Sequence, residues 1–417
     1  MKRWIPVFPV VFLSGLCLCH TSCRKTSLSS GPDSAKAIVL PAGGQGVMDA
    51  ENQFATDIFH AVLSQDTVSH NIMISPFSLY MALGMTDNGA AGATLDSINV
   101  ALRLGTSTLD DLNSTAAALI LQMPNADPEV TMTIANAIWF NQGLFPLPAF
   151  QQTVQSSYNA KIEGLNFSDP SSLTTVNQWV ATQTRQMIKD LLGSLSGQMV
   201  LVNAIYFKGD WSSGFTADST RDFPFVPGNG AAECAPLMYL NAKARIPCYS
   251  NDSLTMIGLP YGGEHFSMFA LMPGSQTNIR TLAAALNPGS LAAWEAKMGS
   301  GNFPLRFPKF DFSYTIQNMY PELRIMGMNL AFQPTADFTR MYSSSSAISQ
   351  VVHKTVIQVD ETGATAAAAT GVVMIGAIAA PPPPLYFDHP FLFVIQEKTS
   401  RAILFIGVLN DPLGTGS

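Results

Sequence analysis

Residues 351–384 read VVHKTVIQVDETGATAAAATGVVMIGAIAAPPPP, and what this stretch can form decides the fold. Its first nine residues, 351–359, are rich in β-branched side chains and read as a strand. Beyond Asp360 the chain turns to small residues, then aliphatic ones, then four prolines. Three structures compete for residues 361–384. Residues 364–380 carry no charge, but Thr365, Thr370, Gly371, Gly376 and many alanines make them weakly hydrophobic and short for a membrane span. Alanine favours a helix, yet Gly371 and Gly376 each subtract about 1 kcal/mol and no apolar period follows. The third structure is an exposed loop that can become a strand. Side chains of a strand alternate faces, so a segment entering the middle of a packed sheet must be small on both sides. Ala366, Ala367, Ala368 and Ala369 meet that requirement.

Working outward, the chain has 417 residues, 22 Lys plus Arg against 29 Asp plus Glu, and a net charge of −7. With 47% hydrophobic and only 12% charged residues, disorder is excluded for the bulk of it, and no basic run provides a footprint for nucleic acid. Residues 1–22 read as an export signal: Lys2 and Arg3 precede an apolar stretch too short for an ordinary transmembrane helix. Residues 23–46, rich in Ser, Gly and Pro, read as a tether. Residues 47–417 show no linker or repeat until about Leu413 and read as one domain. An apolar helical face is expected over residues 51–64 (Phe54, Ile58, Phe59, Val62) and another over 173–192 (Val176, Trp179, Val180, Ile188). Strands are expected at 130–141, 199–208, 266–272, 305–311, 351–359, 391–396 and 402–409. Helices early and strands late give an α+β class. Cys234 and Cys248 either pair or remain separate buried thiols; their spacing does not decide. No HExxH, GxSxG, phosphate-loop or metal-ligand pattern occurs, so the chain does not read as an enzyme and no cofactor is expected.

The order of motifs resembles the serpin family over residues 52–412. NIMISPFSL carries Asn71, Ser75, Pro76 and Ser78; ANAIWF and NQWVATQTRQMIKDLL follow; VNAIYFKGDWSSGF carries Asn203, Phe207, Lys208, Gly209, Trp211 and Phe215. LPY, LMP, LRFPKF, ADFTRM, VVHKTVIQVDETGATAAAAT and DHPFLFVI with ILFIGVLNDP complete the series. The resemblance implies the serpin fold: helices, three β-sheets, and an exposed reactive loop that can insert into the central sheet. It also implies an irreversible suicide-substrate inhibitor of serine proteases, a monomer before it meets its target. Glu361, Gly363, Ala364, Ala366, Ala367, Ala368, Ala369 and Thr370 would then be the hinge. Counting from Glu361 puts the reactive bond at Ala377–Ile378, whereas counting back from Pro390 puts it at Ala379–Ala380. Small neutral residues before either bond favour elastase-like proteases, with chymotrypsin-like enzymes and cysteine proteases as wider targets. Ser75, Ser78, Asn203 and His353 match the shutter, a polar group beneath the central sheet. Trp211, Lys309 and Glu361 match the breach where the loop enters, with Lys309 and Glu361 as an ion pair. Separately, Thr21-Ser22-Cys23 resembles a bacterial lipoprotein cleavage site, which implies lipid on Cys23 and attachment to a cell envelope or surface. His20 departs from that pattern, so cleavage with release is the alternative. A serpin without inhibitory activity, acting as a binding module, is the alternative function, and a cell-envelope enzyme with an undetected site is a more distant one.

Overall fold

In a computed structural model that describes residues 1, 2, 4, 36–66, 71–228, 230–343, 347–362 and 383–414, helices dominate the first half of the chain. They are α1 Gly44–Gln65, α2 Pro76–Asp87, α3 Gly92–Ala101, α4 Leu109–Gln122, α5 Pro148–Tyr158 and α6 Pro170–Gln183, then the shorter α7 Ile279–Ala285, α8 Pro288–Glu295 and α9 Tyr320–Ile325. Several start at sequence-encoded caps. The Ser75 side chain accepts from Ser78 N ahead of Pro76, and the Asp169 side chain accepts from Ser171 N ahead of Pro170. Phe54, Ile58, Phe59 and Val62 form the buried face of α1.

The strands are β1 Ile72–Ile74, β2 Val130–Asn141, β3 Lys161–Leu165, β4 Met199–Gly209, β5 Arg221–Phe225, β6 Glu233–Leu240, β7 Ile246–Ser250, β8 Leu254–Tyr261, β9 Phe266–Pro273, β10 Gly299–Gly301, β11 Leu305–Pro308, β12 Phe310–Ile316, β13 His353–Val359, β14 Leu385–Tyr386, β15 Phe391–Glu397 and β16 Ile403–Leu409. Seven of them form one sheet in the order β1-β16-β15-β9-β8-β7-β10, and β14-β11-β6-β5 form another. The remaining strands make two pieces, β3-β2-β4 and β12-β13. This is an α+β architecture. The β15–β16 hairpin is its core, every residue of both strands being buried, and Phe393 pairs with Gly407.

Four expectations need correction. The run 305–311 is two strands in different sheets, because Pro308 ends β11 and the Lys309 N–H bonds to Pro236 O before β12 begins. The helix expected over 173–192 stops at Gln183: Arg185 and Gln186 adopt left-handed φ of 49° and 67°. Ile188 is nevertheless buried with Val176 and Val180. The tether expected through residue 46 is shorter, since α1 starts at Gly44, Ile38 is buried, Lys36 N bonds to Ala126 O at 2.8 Å, and Val39 exchanges two bonds with the Gln122 amide. Finally, Cys234 and Cys248 are both free; Cys234 lies exposed on β6, and Cys248 is half-buried on β7 of another sheet. The export signal, Cys23 and the rest of the tether fall outside the described residues, apart from Met1, Lys2 and Trp4 of the signal.

A Cβ at Gly407 would lie 2.3 Å from Phe393 Cζ and 2.5 Å from the backbone oxygen of Ile72, so β1 crosses β16 only because no side chain stands there. Gly407→Ala should cost about 1–3 kcal/mol by overpacking, read as a lowered denaturation midpoint. Gly193→Ala, whose Cβ meets nothing within 4 Å, should leave the midpoint unchanged.

Candidate functional site

The two pieces β3-β2-β4 and β12-β13 lie edge to edge through β4 and β13. Among the described residues, backbone pairing between these edges is confined to one parallel bridge, Leu201 to Val351. From there the strands diverge. A cavity of about 210 Å³ opens between them, lined by Ile205–Gly209 on one side and Val356–Asp360 on the other. The facing edges therefore offer N–H and C=O groups that a further strand could satisfy. The face turned to the main core is packed along the gap, where Leu201, Ile357 and Val359 are buried; on the other face Val200, Val202, Ala204 and Val352 pack with α6 at the narrow end, but at the wide end Tyr206 and Val356 are half-buried and Lys208 and Gln358 exposed. A strand entering must present small side chains toward the core throughout, and in both directions only near α6.

At the wide end, Trp211 is stacked on Tyr261 with centroids 4.4 Å apart, and its Nε1 donates to Asp360 O at 3.0 Å. The next residue, Glu361, accepts from Lys309 Nζ at 2.7 Å and from Thr220 Oγ1 at 2.6 Å. Burial by itself would raise the Glu361 carboxyl, but these two donors outweigh it and hold the group below the ordinary carboxylate range. Trp211, Lys309 and Glu361 thus come together where the chain leaves β13. Gly363, Ala364, Ala366, Ala367, Ala368, Ala369 and Thr370, and both candidate bonds at residues 377–380, lie outside the described residues.

At the narrow end, a buried polar group ties α2 to both lips of the gap. Ser75 N donates to His353 Nε2 at 2.9 Å, which leaves the neutral ring's proton on Nδ1. Ser78 N donates to Ser75 Oγ, and Ser78 Oγ donates to Asn203 Oδ1. The structure so brings Ser75, Ser78, Asn203 and His353 into one network. It also extends it: Asn203 Nδ2 donates to Asn136 Oδ1, and Asn136 Nδ2 donates to Tyr158 O at 2.7 Å. Separately, Thr355 Oγ1, two residues after His353, donates to Met73 O at 2.7 Å. Asn136 and Thr355 escaped sequence reasoning. The available signal was a lone amide in the apolar run ANAIWF and a threonine two residues after His353.

Burial depresses the His353 pKa from 6.5 to about 4. Between those values an unfolded chain binds a proton that the native ring refuses, so this group's contribution falls as pH drops from 6.5 and levels off below about 4, by about 3 kcal/mol in all. Burial raises Glu51 to about 8 and Asp87 to about 7, and their contributions run the opposite way, being lost as pH rises. The difference between wild type and His353→Gln isolates the histidine. Denaturant midpoints at pH 7, 5.5 and 4.5 should fall more steeply in wild type; equal slopes would contradict the buried neutral ring.

Comparison with known proteins places this geometry. The family model described as Serpin (serine protease inhibitor) matches residues 49–412. Serpin-Z2A of Triticum aestivum is 34% identical over 367 residues, covering 84% of this chain and 92% of its own. Leukocyte elastase inhibitor of Sus scrofa is 31% identical over 376 residues, covering 87% and 98%. Among solved structures, a thermophilic serpin, tengpin, in the native state is 27% identical with a TM-score of 0.78, covering 91% of this chain and 97% of its own. The chain belongs to the serpin family.

Proposed function

We propose that the protein is an irreversible suicide-substrate inhibitor of elastase-like serine proteases, exported and held at a cell envelope by lipid on Cys23. The observation that carries the inhibitory reading is the gap between β4 and β13, which opens where β13 runs into residues 361–384. A segment that turns after Glu361 and returns runs antiparallel to β13. Because β4 is parallel to β13 at their bridge, the segment is antiparallel to β4 as well and can pair with both edges. Each backbone bond so satisfied contributes about 1 kcal/mol, set against the entropy lost in ordering the segment.

The protease serine Oγ attacks the carbonyl carbon of Ala377, or of Ala379 on the other count, and forms an ester. The amine of the next residue leaves with a proton from the protease's own acid. The freed loop then enters the gap and carries the ester-linked protease with it before water can cleave the ester. Inhibition is a race, and small hinge residues favour insertion because the core face of the gap is already packed. Small side chains before the bond suit a shallow specificity pocket, and the pig relative's name points to elastase. Attachment by lipid rests on the resemblance of Thr21-Ser22-Cys23 to a lipoprotein cleavage site.

Incubation with pancreatic or neutrophil elastase should give an SDS-stable adduct at the summed mass, and mass spectrometry of the released peptide should identify the bond. Cleaved serpin alongside fully active protease would overturn the proposal. Ala367→Arg should abolish the adduct while leaving cleavage intact; an unchanged stoichiometry of inhibition would remove the insertion step.

A further inference from the structure

Three segments meet at the narrow end of the gap, and none carries a charged side chain. They are residues 142–160, which follow β2, residues 191–198, which lead into β4, and residues 347–352, which lead into β13. Asn141 N donates to Gln198 O at 2.8 Å, and Gln198 N donates to Ser349 Oγ at 3.4 Å, so the three form one rim. Phe145 stands on this rim with 81% of its surface exposed, and Leu144 and Leu195 are half-buried in it. The reach of an entering strand ends here. β4 spans 11 residues, and its first, Met199, faces Phe140 near the end of β2. A strand that begins beside Gly209 at residue 363 passes Met199 at about residue 373, so the ester on Ala377 stands about 13 Å further on, or about 20 Å for Ala379. Phe145 follows Phe140 through the turn in which Leu144 N bonds to Asn141 O, so it too lies past this end of β4.

We propose that this uncharged rim is the surface on which the ester-linked protease comes to rest, and that apolar contact between Phe145 and the edge of the protease's active-site cleft prolongs the ester. This rests on the reading that the gap admits a strand, and it adds a residue that acts only after entry. A rim without charge meets acidic and basic proteases with no like-charge penalty, which suits an inhibitor of several enzymes. A lipid surface is the poorer occupant, because the described chain resumes at the other end: Lys36 N bonds to Ala126 O at 2.8 Å, four residues before β2 begins opposite Gly209.

The test is the lifetime of the adduct with pancreatic elastase, read as the return of protease activity after dilution. Phe145→Ser should form adduct as fast as wild type, since the contact arises only once the strand is in place, but should release active protease about tenfold sooner, the size expected for one aromatic ring left in water. Phe145→Trp should keep the wild-type lifetime, and its added fluorescence should shift to the blue on adduct formation. Leu121→Ser, at a side chain 73% exposed on α4, should change neither rate nor lifetime. Equal lifetimes for wild type and Phe145→Ser, or equal shortening by Leu121→Ser, overturn the contact while leaving strand entry intact. A blue shift of Phe145→Trp on phosphatidylcholine vesicles alone would assign the rim to lipid and overturn the contact as well. Failure of every form, wild type included, to give an adduct overturns the inhibitory reading and this inference with it.

Discussion

The structure turns on an interaction that is missing along most of its length: the backbone pairing between β4 and β13. A sheet buried on both faces ordinarily satisfies its interior edges, since unpaired N–H and C=O groups in such a place are costly. Here one bridge at Leu201 and Val351 holds the narrow end, and the Trp211 and Glu361 contacts hold the wide end. Between them a cavity stands where a strand could lie. The network of Ser75, Ser78, Asn203 and His353, the α6 packing above and the seven-stranded sheet below are the surroundings that keep this arrangement in place.

On the proposed reading the same constraint accounts for the composition of residues 364–380. Leu201, Ile357 and Val359 pack into the main core, so a strand laid between β4 and β13 would meet filled space on that side, and near α6 it would meet Val200, Val202 and Ala204 on the other. A bulky or charged residue at 366–369 turned to the core would need a hole that the packing does not contain.

Much of this was legible in the sequence, and the failures have physical causes. β2 matched residue for residue and β15 and β16 to within a residue, because long β-branched and aromatic runs buried on both faces leave an unambiguous pattern. The pattern over 305–311 was equally clear but said nothing of the change of sheet at Lys309, which depends on a distant partner at Pro236. The end of α6 was missed because Ile188 continues the apolar face although the helix has stopped; the left-handed Arg185 and Gln186 give no compositional sign. Ile38 was hidden among Ser, Gly and Pro residues whose composition outweighed it. At the site, motif positions supplied Ser75, Ser78, Asn203 and His353, but Asn136 and Thr355 became visible only through their partners. A single polar residue in an apolar strand does not reveal what it faces.

Hydrogen exchange along the facing edges of β4 and β13, measured before and after a single cut in the loop, tests this account most directly. In the intact protein the amides of residues 204–208 and 356–359 that face the gap should exchange readily, and after cleavage they should slow by at least about a hundredfold as the loop pairs with both edges. Exchange that is unchanged by cleavage would mean that no strand enters the gap.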